Sequence, residues 1–255
     1  MMKLNFQRLG QGEPLVILHG LFGTLENWGT AAKALAECFD VIAVDLRNHG
    51  KSPHAPEMNY PIMADDVIEL LNDLGLSSVR LMGHSMGGKV AMQIALNHPE
   101  RIHKLLVVDI APVEYEHHHK DVFKGLHAVD LSAIKSRNEA ETALSAYISE
   151  PSVRAFLLKN LYRTPEKTFA WRMNLATLDA EYQHISKAPA GVPFNGPTLF
   201  IKGANSHYIT AEYRDAILAL FPHATYKIIQ GAGHWPHAEK PEIFTKLVLN
   251  YLGAD

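Results

Sequence analysis

The feature that most constrains this chain is a rhythm of short aliphatic runs separated by helix-length stretches. Residues 15–18, 41–44, 79–82 and 104–110 are rich in Val, Ile and Leu, bounded by turn residues, and lack clean polar alternation. Runs of that kind suit strands buried on both faces, as in a parallel sheet. Helical patterns fill the gaps at 30–37, 60–74 and 86–97. Strand, helix, strand in succession implies βαβ units and a sheet covered on both sides. The same rhythm returns near the end: a strand at 198–201, a helix at 211–220, a strand at 225–229 and a closing helix at 241–252.

The middle differs. No glycine occurs from 126 to 190, and apolar residues recur at helical spacing (Leu144, Tyr147, Ile148; Phe156, Leu157, Leu161). Pro151 and Pro165 stand where new helices would begin, since proline is tolerated in a first helical turn. These features predict three or four short helices set into an α/β core. The expected division is 1–112 for the first part of the core, 113–195 for a helical cap insertion and 196–255 for the rest of the core.

Composition narrows the function. With 47% hydrophobic and 20% charged residues the chain is globular, which excludes disordered and fibrous classes. Its 24 basic and 27 acidic residues give a net charge of −3 with no basic cluster, so nothing favours a nucleic-acid partner. The one cysteine, Cys38, can make neither an internal disulfide nor a Cys-based zinc site. No run approaches the roughly 18 apolar residues of a membrane span, and the first residues lack the apolar core of a signal peptide. A soluble, cytoplasmic protein is expected.

Gly83-His84-Ser85-Met86-Gly87 follows a predicted strand and opens a predicted helix. This is G-x-S-x-G in the setting that gives it meaning: a sharp strand-to-helix turn presents the serine at the end of the sheet, and small neighbours avoid clashes. Ser85 is the candidate nucleophile. A serine hydroxyl needs a base, and histidine has the appropriate pKa. Of 15 histidines, only His234 stands in a glycine-flanked loop (Gly231-Ala232-Gly233-His234) after the last strand, where the base comes in strand–elbow–helix hydrolases. His237 lies closer to the closing helix and is ranked as a surface or packing residue. The oxyanion of the intermediate needs two amide donors: Met86, next to the nucleophile, and Leu21, in the loop His19-Gly20-Leu21-Phe22-Gly23 after the first aliphatic run. His19 is expected to hold that loop.

These motifs resemble the α/β-hydrolase superfamily of serine esterases almost end to end. Asp45-Leu46-Arg47-Asn48-His49-Gly50-Lys51-Ser52 is similar to its D-x-R-G-x-G-x-S loop, with Asn48 in place of glycine, and His98-Pro99-Glu100-Arg101-Ile102 is similar to its H-P-E-R-V segment. H-G-L-F-G, D-L-R-N-H-G, G-H-S-M-G-G-K and G-N-S-x-Y together look most like the bacterial YbfF-type esterases. The resemblance implies an α/β-hydrolase fold, with a mostly parallel central sheet flanked by helices. It also implies a third catalytic residue, an acid that orients the histidine.

That acid is missing from its usual place. The G-x-x-D pattern reads Gly203-Ala204-Asn205-Ser206 here, with no Asp or Glu between 191 and 211. Asp109, at the end of the strand after the nucleophile strand, is the natural replacement, and some superfamily members use an acid there. Asp45, an Asn205 orienter and the absence of any acid are the competitors.

The expected function is hydrolysis of carboxylic esters or acyl thioesters of small-molecule substrates through an acyl-enzyme, a chemistry that needs no metal or organic cofactor. A C–C bond hydrolase of the same fold, or a slow-turnover receptor on that fold, is the alternative. Phe123, Phe156, Tyr162 and Trp171 would either line an acyl pocket or form the cap's own core. His117-His118-His119 reads as a solvated surface run, since adjacent helical residues diverge by about 100° and cannot all hold one ion. Lys89 is expected to be a solvated charge, and Cys38 a packing residue.

Overall fold

All six predicted strands exist. In chain order the strands of this computed structural model are β1 (Phe6–Leu9), β2 (Pro14–Leu18), β3 (Asp40–Val44), β4 (Val79–His84), β5 (Ile102–Val108), β6 (Leu161–Arg163), β7 (Phe169–Trp171), β8 (Thr198–Gly203) and β9 (Ala224–Ile229). The structure describes residues 2–253. Seven strands form one sheet in the order β1-β3-β2-β4-β5-β8-β9. All neighbours are parallel except β1, which pairs antiparallel with β3 at the edge. Strand β1 carries no aliphatic run and is largely exposed, so the pattern that marks its neighbours is absent from it.

The helices are α1 (Gly29–Leu35), α2 (Tyr60–Asp73), α3 (Met86–Asn97), α4 (Lys120–Ala128), α5 (Arg137–Ser145), α6 (Pro151–Leu158), α7 (Leu175–Ala180), α8 (Tyr182–Ser186), α9 (Arg214–Leu220), α10 (Pro236–Glu239) and α11 (Pro241–Leu252). Alternation along the strands divides the core in two. Val16, Leu18, Ile42, Val44 and Leu81 face α2 and α3, whose Met63, Val67, Val90 and Ile94 complete that layer. Leu15, Ile17, Val41 and Met82 face the other way, onto Leu35 of α1 and Phe244, Val248 and Leu252 of α11. Successive side chains of a strand point to opposite faces, so aliphatic runs without alternation serve both layers.

The chain leaves β2 toward β3 and later returns to β4 on the other side of β2. Such a reversal of strand order opens a crevice at the carboxyl ends of the strands, where α/β proteins bind ligands. The residues between β5 and β8 are tied back to this edge. Asn160 Nδ2 donates to the Phe22 carbonyl at 2.7 Å, and the Asn174 amide donates to the Asn48 carbonyl at 2.9 Å. Asn48 itself has φ 63°, a conformation that asparagine tolerates better than most residues.

Two expectations fail in this segment. It holds five short helices, α4 to α8, in place of three or four. Pro151 does begin a helix, α6, but Pro165 does not. It lies in the turn of a small antiparallel hairpin, β6–β7, where the Lys167 amide donates to the Thr164 carbonyl at 2.9 Å. Proline's fixed φ suits the second position of a β-turn as well as a first helical turn, so its presence alone does not choose. Among the described residues no helix is long and apolar enough to cross a membrane.

Candidate active site

The turn from β4 into α3 holds Ser85 at φ 52° and ψ −119°, a left-handed conformation rare for a non-glycine residue. Its amide donates to the Val108 carbonyl at 3.0 Å and its carbonyl accepts from the Lys89 amide at 3.1 Å, so sheet and helix both hold it. The turn is closed tightly enough that a Cβ on Gly83 would lie 2.1 Å from the Gly87 carbonyl oxygen, and one on Gly87 would lie 2.4 Å from that of His19. Only glycine fits at either position.

His234 sits in the loop between β9 and α10. Its Nε2 is 3.0 Å from Ser85 Oγ, and its Nδ1 is 2.7 Å from Asp109 Oδ2. A carboxylate can only accept, so Nδ1 carries the proton and Nε2 is left free to accept from the serine. The loop is fixed from three sides. His84 Nε2 donates to the His234 carbonyl at 2.7 Å, the Tyr208 ring stacks on the imidazole at 4.0 Å, and Glu239 accepts from the amides of Gly233 and Trp235 at 2.7 and 3.1 Å. Burial, followed by the neighbouring His234 and His237, pushes the His84 pKa well below its usual value, so His84 is a neutral donor.

Asp109 ends β5 with φ 52° and is completely buried. Oδ1 accepts from the Gly203 amide at 3.0 Å, and Oδ2 accepts from the Ser206 hydroxyl as well as from His234. Neither Asp45 nor Asn205 reaches the histidine. Asp45 accepts from Asn5 Nδ2 and from the amides of Leu25 and Lys51 at 2.7–2.9 Å, which makes it the knot of its own turn. Asn205 is exposed, and its one hydrogen bond among the described residues joins its amide to the Ala232 carbonyl at 2.9 Å. Ser206 stands at the fourth position of the Gly203–Ser206 motif, where the resemblance would place an acid, and nothing in the sequence marks the serine as part of the site.

The loop after β2 is braced by two histidines. His19 Nδ1 donates to the Gly20 carbonyl at 2.8 Å and Nε2 accepts from the Leu46 amide at 3.0 Å. His49 Nε2 accepts from the Phe22 amide at 3.1 Å while its Nδ1 donates to the Arg47 carbonyl at 2.9 Å. Burial lowers both pKa values, that of His49 to about 3. No hydrogen bond within the described protein uses the Leu21 amide, and the Met86 amide, first in α3, has no intrahelical partner. Both residues line a small cavity of about 40 Å³ that also contains Ser85. A larger cavity of about 390 Å³ opens from the same serine and is walled by Val122, Ile148, Val153, Phe156 and Leu157.

Four residues weighed in the sequence thus have individual fates. Phe156 lines the larger cavity, Phe123 is buried core, Tyr162 is exposed, and Trp171 packs partly buried against the core. Lys89 is not a solvated charge. It is buried on α3, with Nζ donating to the carbonyls of Ser186 and Lys187 at 2.9 and 2.6 Å, and burial lowers its pKa to about 7. The sequence offers no sign of this, because the carbonyls belong to a segment nearly 100 residues away. Cys38 is exposed, not a packing residue. His237 is buried and stacked on Trp28 at 4.2 Å. Of the three consecutive histidines, His117 and His118 are exposed, but His119 is half-buried and lines both cavities.

Comparison with known proteins identifies the family. Residues 13–131 match the alpha/beta hydrolase fold family. Esterase YbfF of Escherichia coli K12 is 40% identical over 98% of this chain and 99% of its own length. The chain belongs to the α/β-hydrolase family. Within that family, the sn-1-specific diacylglycerol lipase ABHD11 of Xenopus laevis is 40% identical over 94% of this chain and 80% of its own length. The solved structure of a marine microorganism esterase, 41% identical, superposes with a TM-score of 0.97 over 99% of this chain and all of that one. As an α/β hydrolase the chain has its buried carboxylate at the end of β5, with Ser206 after β8 as that carboxylate's hydrogen-bond donor.

Proposed function

We propose that Ser85, His234 and Asp109 form a catalytic triad that cleaves esters and acyl thioesters through an acyl-enzyme, with the amides of Leu21 and Met86 as the oxyanion hole. The chain is a carboxylic ester hydrolase. The observation that carries the triad reading is the unbroken path from a buried carboxylate, through a histidine of defined tautomer, to a serine that opens on a cavity.

Ser85 Oγ attacks the carbonyl carbon as His234 Nε2 takes its proton, and Asp109 stabilises the imidazolium that results. Negative charge on the carbonyl oxygen meets the two amides, one of them at the positive end of the α3 dipole. His234 then protonates the departing alcohol or thiol. Water, deprotonated by the same Nε2, releases the acid and restores the serine. Residues 113–195 serve as a cap, and the apolar wall they contribute receives the acyl chain. The names of the relatives, an esterase and a diacylglycerol lipase, support an acyl substrate of this kind.

The test is turnover of a series of 4-nitrophenyl esters and acyl thioesters by the wild type and by Ser85→Ala. Wild-type hydrolysis of both classes, with a loss of at least about 10,000-fold in the variant, is expected. A Ser85→Ala protein that retains the wild-type rate overturns the assignment.

A further inference from the structure

His119 caps the start of α4 and makes one side-chain hydrogen bond: its Nδ1 is 2.6 Å from the hydroxyl of Tyr182. The direction of that bond follows from the surroundings of the phenol. Tyr182 is buried, and His119 Nδ1 is the one hydrogen-bond partner of its hydroxyl among the described residues. A buried phenol needs an acceptor for its proton, so the hydroxyl donates to Nδ1. Burial, with His234, His118 and His117 adding to it, lowers the His119 pKa to about 4. The ring is therefore neutral, and with Nδ1 accepting, its single proton resides on Nε2.

Nε2 has no hydrogen-bond partner among the described residues, and it is not one of the fully enclosed polar atoms. The ring is held by Tyr182 and by an edge-on contact with Phe22 at 5.9 Å. His119 lines both the larger cavity and the small one that holds Ser85 and Met86. Val122, Ile148 and Leu157, by contrast, line only the larger. His119 thus belongs to the serine end of the acyl chamber and not to its distal apolar wall.

We infer that His119 is a specificity residue whose Nε2–H donates to an acceptor oxygen on the acyl group close to the scissile carbonyl, so that esters of oxygen-substituted acids are preferred over plain alkyl ones. Tyr182 is the positioning residue that fixes the tautomer. The inference rests on the serine-hydrolase reading of the site. A site built to hydrogen-bond a substrate atom discriminates strongly against the analogue that lacks it, because its own polar group is then left unpaired.

4-Nitrophenyl methoxyacetate and 4-nitrophenyl butyrate have equal chain length and differ by one ether oxygen in place of a methylene. The quantity measured is the ratio of their kcat/KM values, taken for the wild type, His119→Leu, His119→Gln and Tyr182→Phe. His119→Leu is expected to lower the ratio by about tenfold or more. His119→Gln, which retains an N–H donor, is expected to recover most of it, and Tyr182→Phe to lower it less than His119→Leu does. A His119→Leu ratio equal to that of the wild type overturns the inference, whether both rates fall together or neither moves. Should that variant fail to fold, a Tyr182→Phe ratio equal to the wild type's overturns it instead. A wild type that turns over neither ester overturns the hydrolase reading itself, which the butyrate rate reports independently.

Discussion

The hydroxyl of Ser206 donates a hydrogen bond to Oδ2 of Asp109, the same oxygen that receives Nδ1–H of His234. A serine after β8 and an acid after β5 thereby share one position beside the histidine. The hydroxyl holds the carboxylate in place beside the imidazole. Ser206→Ala is expected to lower kcat about tenfold with KM nearly unchanged, since the hydroxyl does not face substrate. Steady-state kinetics on a 4-nitrophenyl ester checks this, and a change confined to KM would contradict it.

Asp109→Asn removes the acceptor that fixes the His234 tautomer, and loss of a triad aspartate costs about 10,000-fold in kcat elsewhere. A loss of that order is expected here in a folded protein. Asp45→Asn should behave differently, because among the described residues the Asp45 carboxylate bonds only to Asn5, Leu25 and Lys51. Its effect should appear in the melting temperature more than in kcat, and the reverse pattern would exchange the two roles.

Most of this site is legible in the sequence because its parts are local. The elbow around Ser85, the glycine-flanked His234 and the loop holding Leu21 each stand directly after an aliphatic strand. Asp109 was reachable for the same reason, since it ends the strand next to the nucleophile strand. Ser206, His84 and Lys89 were not, because their partners are 97, 150 and 97 residues away in the chain. Sequence pattern reports which residue begins a helix or ends a strand, but not which distant carbonyl or carboxylate a side chain will meet. Strand β1 and the hairpin β6–β7 escaped for a related reason: they are short, β1 is largely exposed and only Leu161 of the hairpin is fully buried, so burial left no aliphatic signature in them.

Acid should unfold the protein early. His49 and His237 have pKa values of about 3 and His119 of about 4, each lowered chiefly by burial, with His84 also well below its usual value. The unfolded chain binds these protons near pH 6.5 and the folded chain does not. The associated stability is full above that pH and is lost as pH falls toward the folded values, by about 1.4 kcal/mol per histidine per pH unit. Urea midpoints at pH 7 and pH 5 measure this. His237→Phe, which keeps a ring beside Trp28, is expected to reduce the pH dependence by about one proton; an unchanged dependence would exclude His237 as a contributor.

Lys89→Met keeps the volume of the buried stem but removes the donor for the Ser186 and Lys187 carbonyls. Leaving buried acceptors unpaired costs about 1–3 kcal/mol. A loss of stability in that range is expected, measured by urea titration at pH 7. A variant as stable as the wild type would show that water replaces the ammonium.

The central claim is that Ser85 is the residue that bonds covalently to the substrate, activated by His234. Intact-protein mass spectrometry after exposure to a fluorophosphonate, followed by peptide mapping, tests it most directly. One adduct, on Ser85, is predicted for the wild type, with none on Ser85→Ala and greatly slowed labelling of His234→Ala. An adduct on another residue, or a Ser85→Ala protein that labels as the wild type does, would contradict the account.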